Sequence, residues 1–468
     1  MRHASPPRHS FAAILALAAM FLAAAAGAEG PLVRPEAVRA HVEFLASDAL
    51  NGRGSGTRDE LIAATYAASQ LRQFGAEPAG DGGGYIQRVD LVLRELAGPP
   101  AIVVSPHSGP ESRFVHGREV IVSAMAGPRI EAPLQKLDAG GTGKVRPGAA
   151  VFLVDSRPPA IAAASERGAA IVLTVADAQT TARWESQAAR IPRLTAYLAA
   201  FGEAPSEGPT VVILGPDAAR VVTALPEGSR VRVEGELKAM ERGSTTNVVA
   251  RLPGSDPKRA SEAVLLTAHI DHLGLGDPVD GDAIYNGAND DASGVAAVLE
   301  LARALGSGPR PRRTVLFALF GSEERGGYGA AYFRERPSIP LDRIVANIEF
   351  EEIGLPDPKM PPHTLWLTGW ERSDLGPTLA AHGARLVADP YPEEDFFRRS
   401  DNYLLARRGV VAHTVASNAL YPQYHQPSDE PGILDYGHMA ETIGSLIDPI
   451  RWLLDSDFRP RWTKDGKP

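Results

Sequence analysis

The strongest constraint on the fold is an alternation of strand-like and helix-like segments between residues 241 and 455. Three continuous apolar runs, "AVLLTAHI", "RTVLFALF" and "IVANIEF", have the length and composition of buried strands, and "TLWLTG" is a fourth candidate. The segment "SGVAAVLELARAL" follows the first run and has apolar residues at helical spacing: Val295, Val298, Leu299 and Ala302. Apolar strands that alternate with helices predict an α/β fold, with a mostly parallel or mixed central sheet covered by helices on both faces.

Two regions upstream of this pattern differ from it. Residues 35–74 have helical periodicity, whereas residues 99–240 hold short β-rich runs separated by Gly and Pro turns. We therefore expect residues 29–98 to form the N-terminal part of the main domain. Residues 99–240 would form an inserted small β-rich α/β domain, and residues 241–460 the rest of the main domain.

The beginning of the chain has the pattern of a secretory signal peptide, which we assign to residues 1–28. Arg2 and Arg8 precede an apolar run over residues 11–26, and the tripeptide "AGA" provides small residues for cleavage. The apolar run is shorter than the roughly 20 residues that a membrane span needs. We expect a secreted or periplasmic bacterial protein with no stable membrane insertion after cleavage, and an uncleaved N-terminal anchor is the alternative.

The composition limits the available chemistry. The chain has 468 residues, of which 44% are hydrophobic, so it can bury a large core. Its formal net charge is -9 and it has no long basic run, which argues against a nucleic-acid partner. It has no cysteine, which excludes thiolate catalysis and cysteine zinc sites. Any metal ion must therefore be bound by His, Asp and Glu.

Residues with metal-binding side chains follow three of the predicted strands directly. Others lie at the start of the predicted helix and far downstream in "YPQYHQPSD". Because the carboxyl ends of parallel strands meet at one edge of a sheet, we expect these groups to converge there. The groups are His269, Asp271, His272, Asp290, Asp291, Glu323, Glu324, Glu349, Glu351, Glu352 and His425.

Each of these motifs has an ordinary structural interpretation when it is taken alone. "NDD" before a helix is usually an N-terminal cap, and "EE" after a strand is usually a solvated turn. Taken together, the carboxylates would repel one another and would be costly to remove from water. Arg325 is the nearest cationic side chain and cannot balance them all. A divalent metal can, and His, Asp and Glu ligands favour zinc over manganese or cobalt.

The chain resembles the secreted di-zinc aminopeptidases and their glutamate-carboxypeptidase relatives. The matching motifs are "HIDH", "NGANDDASG", "GSEERG", "IEFEEIG" and "YHQPSD", in the order of that family. The segment over residues 99–240 is similar in place and pattern to a protease-associated domain. The resemblance implies that residues 241–460 are a zinc peptidase catalytic domain with two Zn²⁺ ions as cofactors. It implies five metal ligands: His269, Asp290, Glu324, Glu351 and His425.

The resemblance also implies roles for Asp290 and for four neighbouring residues. Glu323 would be the general base, and Tyr424 would stabilise the tetrahedral intermediate. Asp271 would lie behind the ligands and orient the His269 imidazole. Asp290 would bridge the two ions, whereas Asp291 would cap the helix or support a ligand.

One ligand position departs from the pattern of the family. Relatives often have Asp at this position, in a "DMIG"-like motif, where this chain has Glu351 in "EEIG". Glu349 is the rival ligand because it points to the same side of the strand. The sequence favours Glu351.

These features predict a zinc-dependent exopeptidase, most simply an aminopeptidase acting on a peptide or aminoacyl substrate. A carboxypeptidase or small-molecule deacylase on the same scaffold is the alternative, since a basic patch could bind a substrate carboxylate. The candidate residues for that patch are Arg398, Arg399, Arg407 and Arg408. A glutaminyl-cyclase-like acyltransferase would need one zinc only, and a non-enzymatic binding protein would have lost ligands, which this chain retains.

Overall fold

A computed structural model of the chain describes residues 32–137, 143–154, 157–189, 192, 194, 196–202 and 209–468. The predicted signal peptide lies outside the described residues. The described strands are β1 Glu77–Pro78, β2 Ile86–Leu96, β3 Ala101–Ser105, β4 Ser112–Val115, β5 Val120–Ala124, β6 Arg129–Lys136, β7 Ala150–Leu153, β8 Ile171–Val175, β9 Tyr197–Leu198, β10 Thr210–Leu214, β11 Arg230–Glu234, β12 Leu237–Leu252, β13 Ala263–His269, β14 Gly274–Val279, β15 Asp282–Tyr285, β16 Thr314–Phe320, β17 Ile344–Phe350, β18 Leu365–Leu367, β19 Leu386–Ala388 and β20 Ala412–Ala416. The described α-helices are α1 Pro35–Leu45, α2 Arg58–Gln73, α3 Pro158–Glu166, α4 Ala178–Ala182, α5 Trp184–Ala188, α6 Pro216–Ala224, α7 Gly294–Gly306, α8 Tyr328–Glu335, α9 Leu375–Ala381, α10 Asn402–Ala406 and α11 Tyr436–Asp455.

The larger sheet has ten strands, in the order β19-β18-β20-β17-β13-β16-β12-β2-β9, with β1 paired to β12. Its centre, β20, β17, β13 and β16, is parallel, whereas β12, β2 and β9 run antiparallel to their neighbours. All seven residues of β13, of β16 and of β17 are buried. Strands buried on both faces need no apolar–polar alternation, and this confirms the predicted mixed sheet.

Helices cover both faces of this sheet, as predicted. Alternate residues of the central strands pack against α1, α2, α7, α9 and α11 on one face and against α8 and α10 on the other. The helix α7 was predicted to be amphipathic, but it is buried almost all round. The reason is tertiary, because α1, α2 and α11 cover the side that would otherwise face water.

A second sheet of eight strands forms within residues 101–234, in the order β4-β3-β11-β6-β7-β8-β10-β5. The long antiparallel pair β2 and β12 connects it to the larger sheet, because β2 leads into it and β12 leads out of it. One segment inside the predicted insertion behaves differently, since β9 pairs with β2 of the larger sheet. We keep the name inserted domain for residues 99–240, and its relation to protease-associated domains stays a prediction.

The parallel strands bring the predicted site residues to one edge. His269, the last residue of β13, lies opposite Phe320, the last residue of β16. Thr267 of β13 lies opposite Glu349 of β17. The segments after β16 and β17 therefore leave the sheet beside His269. Among the described helices, none combines the length and the apolar character that crossing a membrane requires.

Candidate metal centre

Two groups of metal-binding side chains share one carboxylate, that of Asp290. The first group consists of His269, Asp290 and Glu351. His269 Nε2 lies 3.1 Å from Asp290 Oδ1 and 3.7 Å from Glu351 Oε1. The structure thus brings together three of the predicted ligands around a single point.

The second group consists of His272, Asp290 and Glu324, and the predicted ligand His425 lies next to it. His425 Nε2 is 3.1 Å from Asp290 Oδ2 and 3.3 Å from Glu324 Oε2. His272 Nδ1 is 2.7 Å from Glu324 Oε1 and 3.8 Å from Asp290 Oδ2. Asp290 therefore presents one oxygen to each group, which is the arrangement a bridging ligand needs.

The loop before α7 places Asp290 between the two groups. Asp429 accepts hydrogen bonds from the backbone N–H of Asn289 at 2.9 Å and of Asp290 at 3.1 Å. Gly287 has a φ of 62°, and a Cβ there would lie 2.5 Å from the His272 ring. Only glycine fits such a position. The peptide bond between Asp290 and Asp291 is cis.

Asp291 has a different environment from its neighbour. Its Oδ1 accepts from the Gly294 N–H at 2.9 Å, and its Oδ2 accepts from the His269 N–H at 3.2 Å. The side chain thus joins the first turn of α7 to the end of β13. The structure places Asp290 and Asp291 in separate positions, one among the ligand groups and one at the helix start.

Asp271 contacts the segment that carries Glu323. Its Oδ1 accepts from the Glu323 N–H at 3.0 Å, and its Oδ2 accepts from the Ser55 hydroxyl. The Asp271 carboxylate lies 3.8 Å from His269 Nδ1, whereas the Asp271 backbone carbonyl is closer, at 3.2 Å. The predicted orientation of His269 would therefore come mainly from this carbonyl.

The rival residues Glu349 and Glu351 point to different places. Glu351 belongs to the first ligand group. Glu349 is fully buried, and its Oε2 accepts from the Asn402 N–H and, at 3.4 Å, from the Thr414 hydroxyl. The geometry favours Glu351 as the ligand and gives Glu349 a structural contact.

Glu323 and Tyr424 both interact electrostatically with the ligand residues Glu324 and Glu351. Burial and the nearby carboxylates of Asp401, Glu351 and Glu324 raise the pKa of Glu323, although His269 opposes them. The Tyr424 ring stacks on His425, with centroids 3.9 Å apart. Burial and the surrounding acids also raise the pKa of Tyr424, so its phenol keeps its proton at neutral pH.

The charges in this centre call for a cation. Burial would lower the pKa of His425, but Asp290 and Glu324 outweigh it and raise that pKa to about 10. Burial would raise the pKa of Asp290, but the three surrounding imidazoles hold it well below its ordinary value. Several buried polar atoms form no hydrogen bond of acceptable geometry within the described chain: His269 Nε2, His272 Nδ1, His272 Nε2 and Glu324 Oε1. Imidazole nitrogens and carboxylate oxygens that lie close together without hydrogen-bond partners fit zinc, which these residue types bind.

Four residues other than glycine have a left-handed φ around this centre. They are Arg53 at 48°, Ser322 at 57°, Glu352 at 52° and His425 at 55°. Each such conformation costs about 1–3 kcal/mol and persists only where the surroundings impose it. Backbone strain is therefore concentrated at the ligand groups and the loops that hold them.

Sequence reasoning missed two residues of the centre. His272 was noticed in "HIDH" without a role, yet it lies fully buried against Glu324. The other residue is Arg53, in "NGRGSG". It is buried, far away in sequence, and interacts electrostatically with Asp290 and Asp271. A lone arginine among glycines far upstream carries no signal of this contact, because only the tertiary fold brings it here.

The Arg53 guanidinium joins three segments behind the ligands. It donates to the carbonyls of Ile270 at 3.1 Å, Leu45 at 2.8 Å, Asn286 at 2.5 Å and Gly287 at 3.0 Å. Ile270 follows the ligand His269, and the 286–287 segment leads to Asp290. One buried side chain thus fixes the loop of the shared carboxylate against the end of β13.

The fold and these groups define an α/β protein with a candidate two-metal centre at the carboxyl edge of its sheet. Residues 247–447 match peptidase family M28. The match covers less than half of the chain and shows a similarity to this peptidase family.

Two curated proteins and one solved structure illustrate the similarity. A probable zinc metalloprotease of Leptosphaeria maculans is 44% identical over 88 residues, which are 19% of this chain and 19% of that protein. A probable lipoprotein aminopeptidase of Mycobacterium tuberculosis is 36% identical over 118 residues, 25% of this chain and 22% of that protein. Each alignment thus spans about a fifth of the curated relative's length. The aminopeptidase from Aneurinibacillus sp. strain AM-1 shares the fold, with a TM-score of 0.53, 17% identity, and coverage of 93% of this chain and 96% of that one.

We expect Arg53→Lys to weaken zinc binding by roughly 10–100-fold, the usual effect of losing a residue that supports metal ligands. Lysine keeps the charge, but a single ammonium cannot reach four carbonyls that the guanidinium spans. Zinc affinity would be measured by competition with a chelator on the purified protein.

Arg313→Lys is the matched control. Arg313 is also fully buried, and it binds Glu262 and the Leu453 carbonyl away from the centre. Both variants should lose stability, but only Arg53→Lys should lose zinc affinity. Equal zinc affinities in the two variants would contradict the role given to Arg53.

Proposed function

We propose that this chain is a secreted or periplasmic zinc-dependent exopeptidase of the aminopeptidase type, which hydrolyses N-terminal peptide bonds. The observation that carries the proposal is the position of Asp290, with Oδ1 3.1 Å from His269 and Oδ2 3.1 Å from His425. The match of residues 247–447 to peptidase family M28 supports a peptidase, and the name of the mycobacterial relative supports an aminopeptidase. The export part of the proposal rests on the pattern of residues 1–28.

The two ligand groups would hold two zinc ions. His269, Glu351 and Asp290 would bind one ion, and Asp290, Glu324 and His425 would bind the other. His272 would hold Oε1 of Glu324, so that Oε2 faces His425. Asp429, through two backbone N–H groups, would keep the shared carboxylate in place.

Bound zinc supplies a water of lowered pKa and polarises a carbonyl group. Glu323 is the general base that removes a proton from the attacking water and then returns it to the leaving amine. Asp271 fixes the backbone of Glu323, and the protonated Tyr424 phenol donates to the developing oxyanion.

Glu352 is the candidate partner for a free substrate α-ammonium. It lies beside Glu351 in a pocket that also includes Trp366, Phe396, Arg399 and Tyr424. Its side chain is 5% exposed, and within the described structure its Oε1 has no hydrogen-bond partner. The other acid considered for this role, Glu349, does not line this pocket and accepts from the Asn402 N–H at the start of α10 instead.

Arg399 supports the alternative, a carboxypeptidase or deacylase. It lines the same pocket and could bind a substrate carboxylate. Arg399 also lies 3.8 Å from the Glu394 carboxylate. Arg398 pairs with Glu166 and Arg408 pairs with Glu335, both outside this pocket. Hydrolysis of N-acylated amino acids with a free carboxylate, and none of aminoacyl anilides, would favour this alternative.

We expect close to two zinc ions per chain in the purified protein, and fewer in Asp290→Ala, which should also lose activity. Asp291→Asn should be much milder, because its amide oxygen can still accept a backbone hydrogen bond. Metal analysis and hydrolysis of aminoacyl anilides would measure both effects. A severe Asp291→Asn and a mild Asp290→Ala would reverse the assignment of the two residues.

Glu323→Gln should lower kcat by about 10²–10⁴-fold, the contribution expected of a general acid–base group. Zinc content should stay at the wild-type level, because Glu323 lies outside both ligand groups. Steady-state kinetics and metal analysis on the same sample would test this. A loss of zinc together with activity would make Glu323 a ligand rather than the base.

Glu352→Gln should weaken inhibition by a compound with a free α-ammonium by about tenfold, the effect of one charge-assisted hydrogen bond. Inhibition by the deamino analogue of the same compound should not change. Glu349→Gln is the control and should affect both compounds alike. If Glu352→Gln weakens both compounds equally, Glu352 does not recognise the ammonium.

A further inference from the structure

The pocket beside the metal centre has one wall that the inserted domain contacts. Phe396 and Arg399 line this pocket, next to Glu351 and Tyr424. Arg398 lies between them in sequence and binds the carboxylate of Glu166, the last residue of α3 in the inserted domain. The Tyr403 hydroxyl donates to the other oxygen of Glu166 at 3.0 Å. Glu166 therefore binds Arg398 and Tyr403, the two ends of a short segment. This segment, residues 398–403, includes Arg399 of the pocket wall.

The opposite side of the same segment is fixed within the main domain. The Asn402 N–H donates to Glu349, and its side chain donates to the Phe397 carbonyl at 3.2 Å. Phe396 packs against the buried Trp366, with centroids 5.3 Å apart. Residues 396–403 are thus held from inside by the sheet and from outside by Glu166.

This wall has little regular structure of its own. Two single helical turns, Pro392–Glu394 and Phe396–Arg398, meet at Asp395, which has a φ of 50°. The carboxylate of Asp395 lies 3.4 Å from Arg398, so Arg398 links the turn to the inserted domain. Short turns of this kind have few internal hydrogen bonds, so contacts from outside determine where their side chains lie.

We propose that Glu166 is a specificity-determining residue, through which the inserted domain fixes the pocket wall formed by Phe396 and Arg399. In the ion pair, 26% of the Arg398 side chain and 33% of the Glu166 side chain are exposed, so both groups are largely shielded from water. One oxygen of Glu166 contacts the Arg398 guanidinium and the other contacts the Tyr403 hydroxyl, so the positions of these two side chains are restricted together. The inserted domain thereby holds the pocket wall in position to contact large substrate side chains. The kinetic consequence rests on the proposed peptidase function.

The test compares Glu166→Ala with Asp217→Ala in the full-length protein. Asp217 is an exposed carboxylate on α6 of the same domain and pairs with Arg220 of its own helix. With alanyl, leucyl and phenylalanyl anilides, Glu166→Ala should raise KM for the two larger substrates by about three- to tenfold, as expected for a partly buried contact. In Glu166→Ala, the KM for the alanyl substrate and the zinc content should stay at wild-type values. The Asp217→Ala variant should match wild type with all three substrates. The double variant Glu166→Arg with Arg398→Glu should recover part of the loss.

Hydrogen exchange of residues 391–403 provides a readout that does not need activity. Glu166→Ala should exchange faster in this segment than wild type and Asp217→Ala. Unchanged exchange would overturn the contact, and faster exchange with equal losses on all three substrates would overturn the specificity role. If the wild-type protein hydrolysed none of the anilides, the proposed function would fail, while exchange would still decide whether Glu166 holds the wall.

Discussion

The structure depends on the cost of bringing several carboxylates together at a buried edge of one sheet. Asp271, Asp290 and Asp291 are each almost completely buried, and Glu324 adjoins them. Such a group of charges is stable only if each oxygen has a partner. Here the partners are backbone N–H groups for Asp271 and Asp291, and imidazoles for Asp290 and Glu324. The remaining negative charge is what makes the centre suited to metal ions.

Arg53 satisfies the buried backbone carbonyls behind these carboxylates. The loops that carry His269 and Asp290 come from different parts of the chain, and both expose backbone carbonyls towards the interior. A guanidinium with five donors can satisfy several carbonyls at once, and its charge lies close to the acids. The N-terminal segment therefore helps to hold the candidate metal centre together, although the inserted domain separates it from the other segments in sequence.

The inserted domain is joined to the main domain by more than its two connecting strands. The strand β9 extends the larger sheet, and Phe201 packs near Tyr332 of α8 with ring centroids 5.9 Å apart. Glu166 adds a polar contact beside the pocket. Contacts at several separate points restrict rotation of one domain against the other. This gives the inserted domain a physical route to influence the pocket, although it provides none of the metal-binding groups found in the described residues.

The sequence by itself determined the strand–helix alternation and the end of each central strand. Apolar runs such as "AVLLTAH" have no water-facing side, so their burial and the location of His269 at the edge follow from the sequence. The tertiary structure decided what depends on distance across the chain. It separated Glu351 from Glu349, and it buried almost the whole of α7. It also brought Arg53 and His272 to the acids and Glu166 to Arg398. Local periodicity cannot encode these contacts, because each joins groups whose proximity is created only when separate segments pack together.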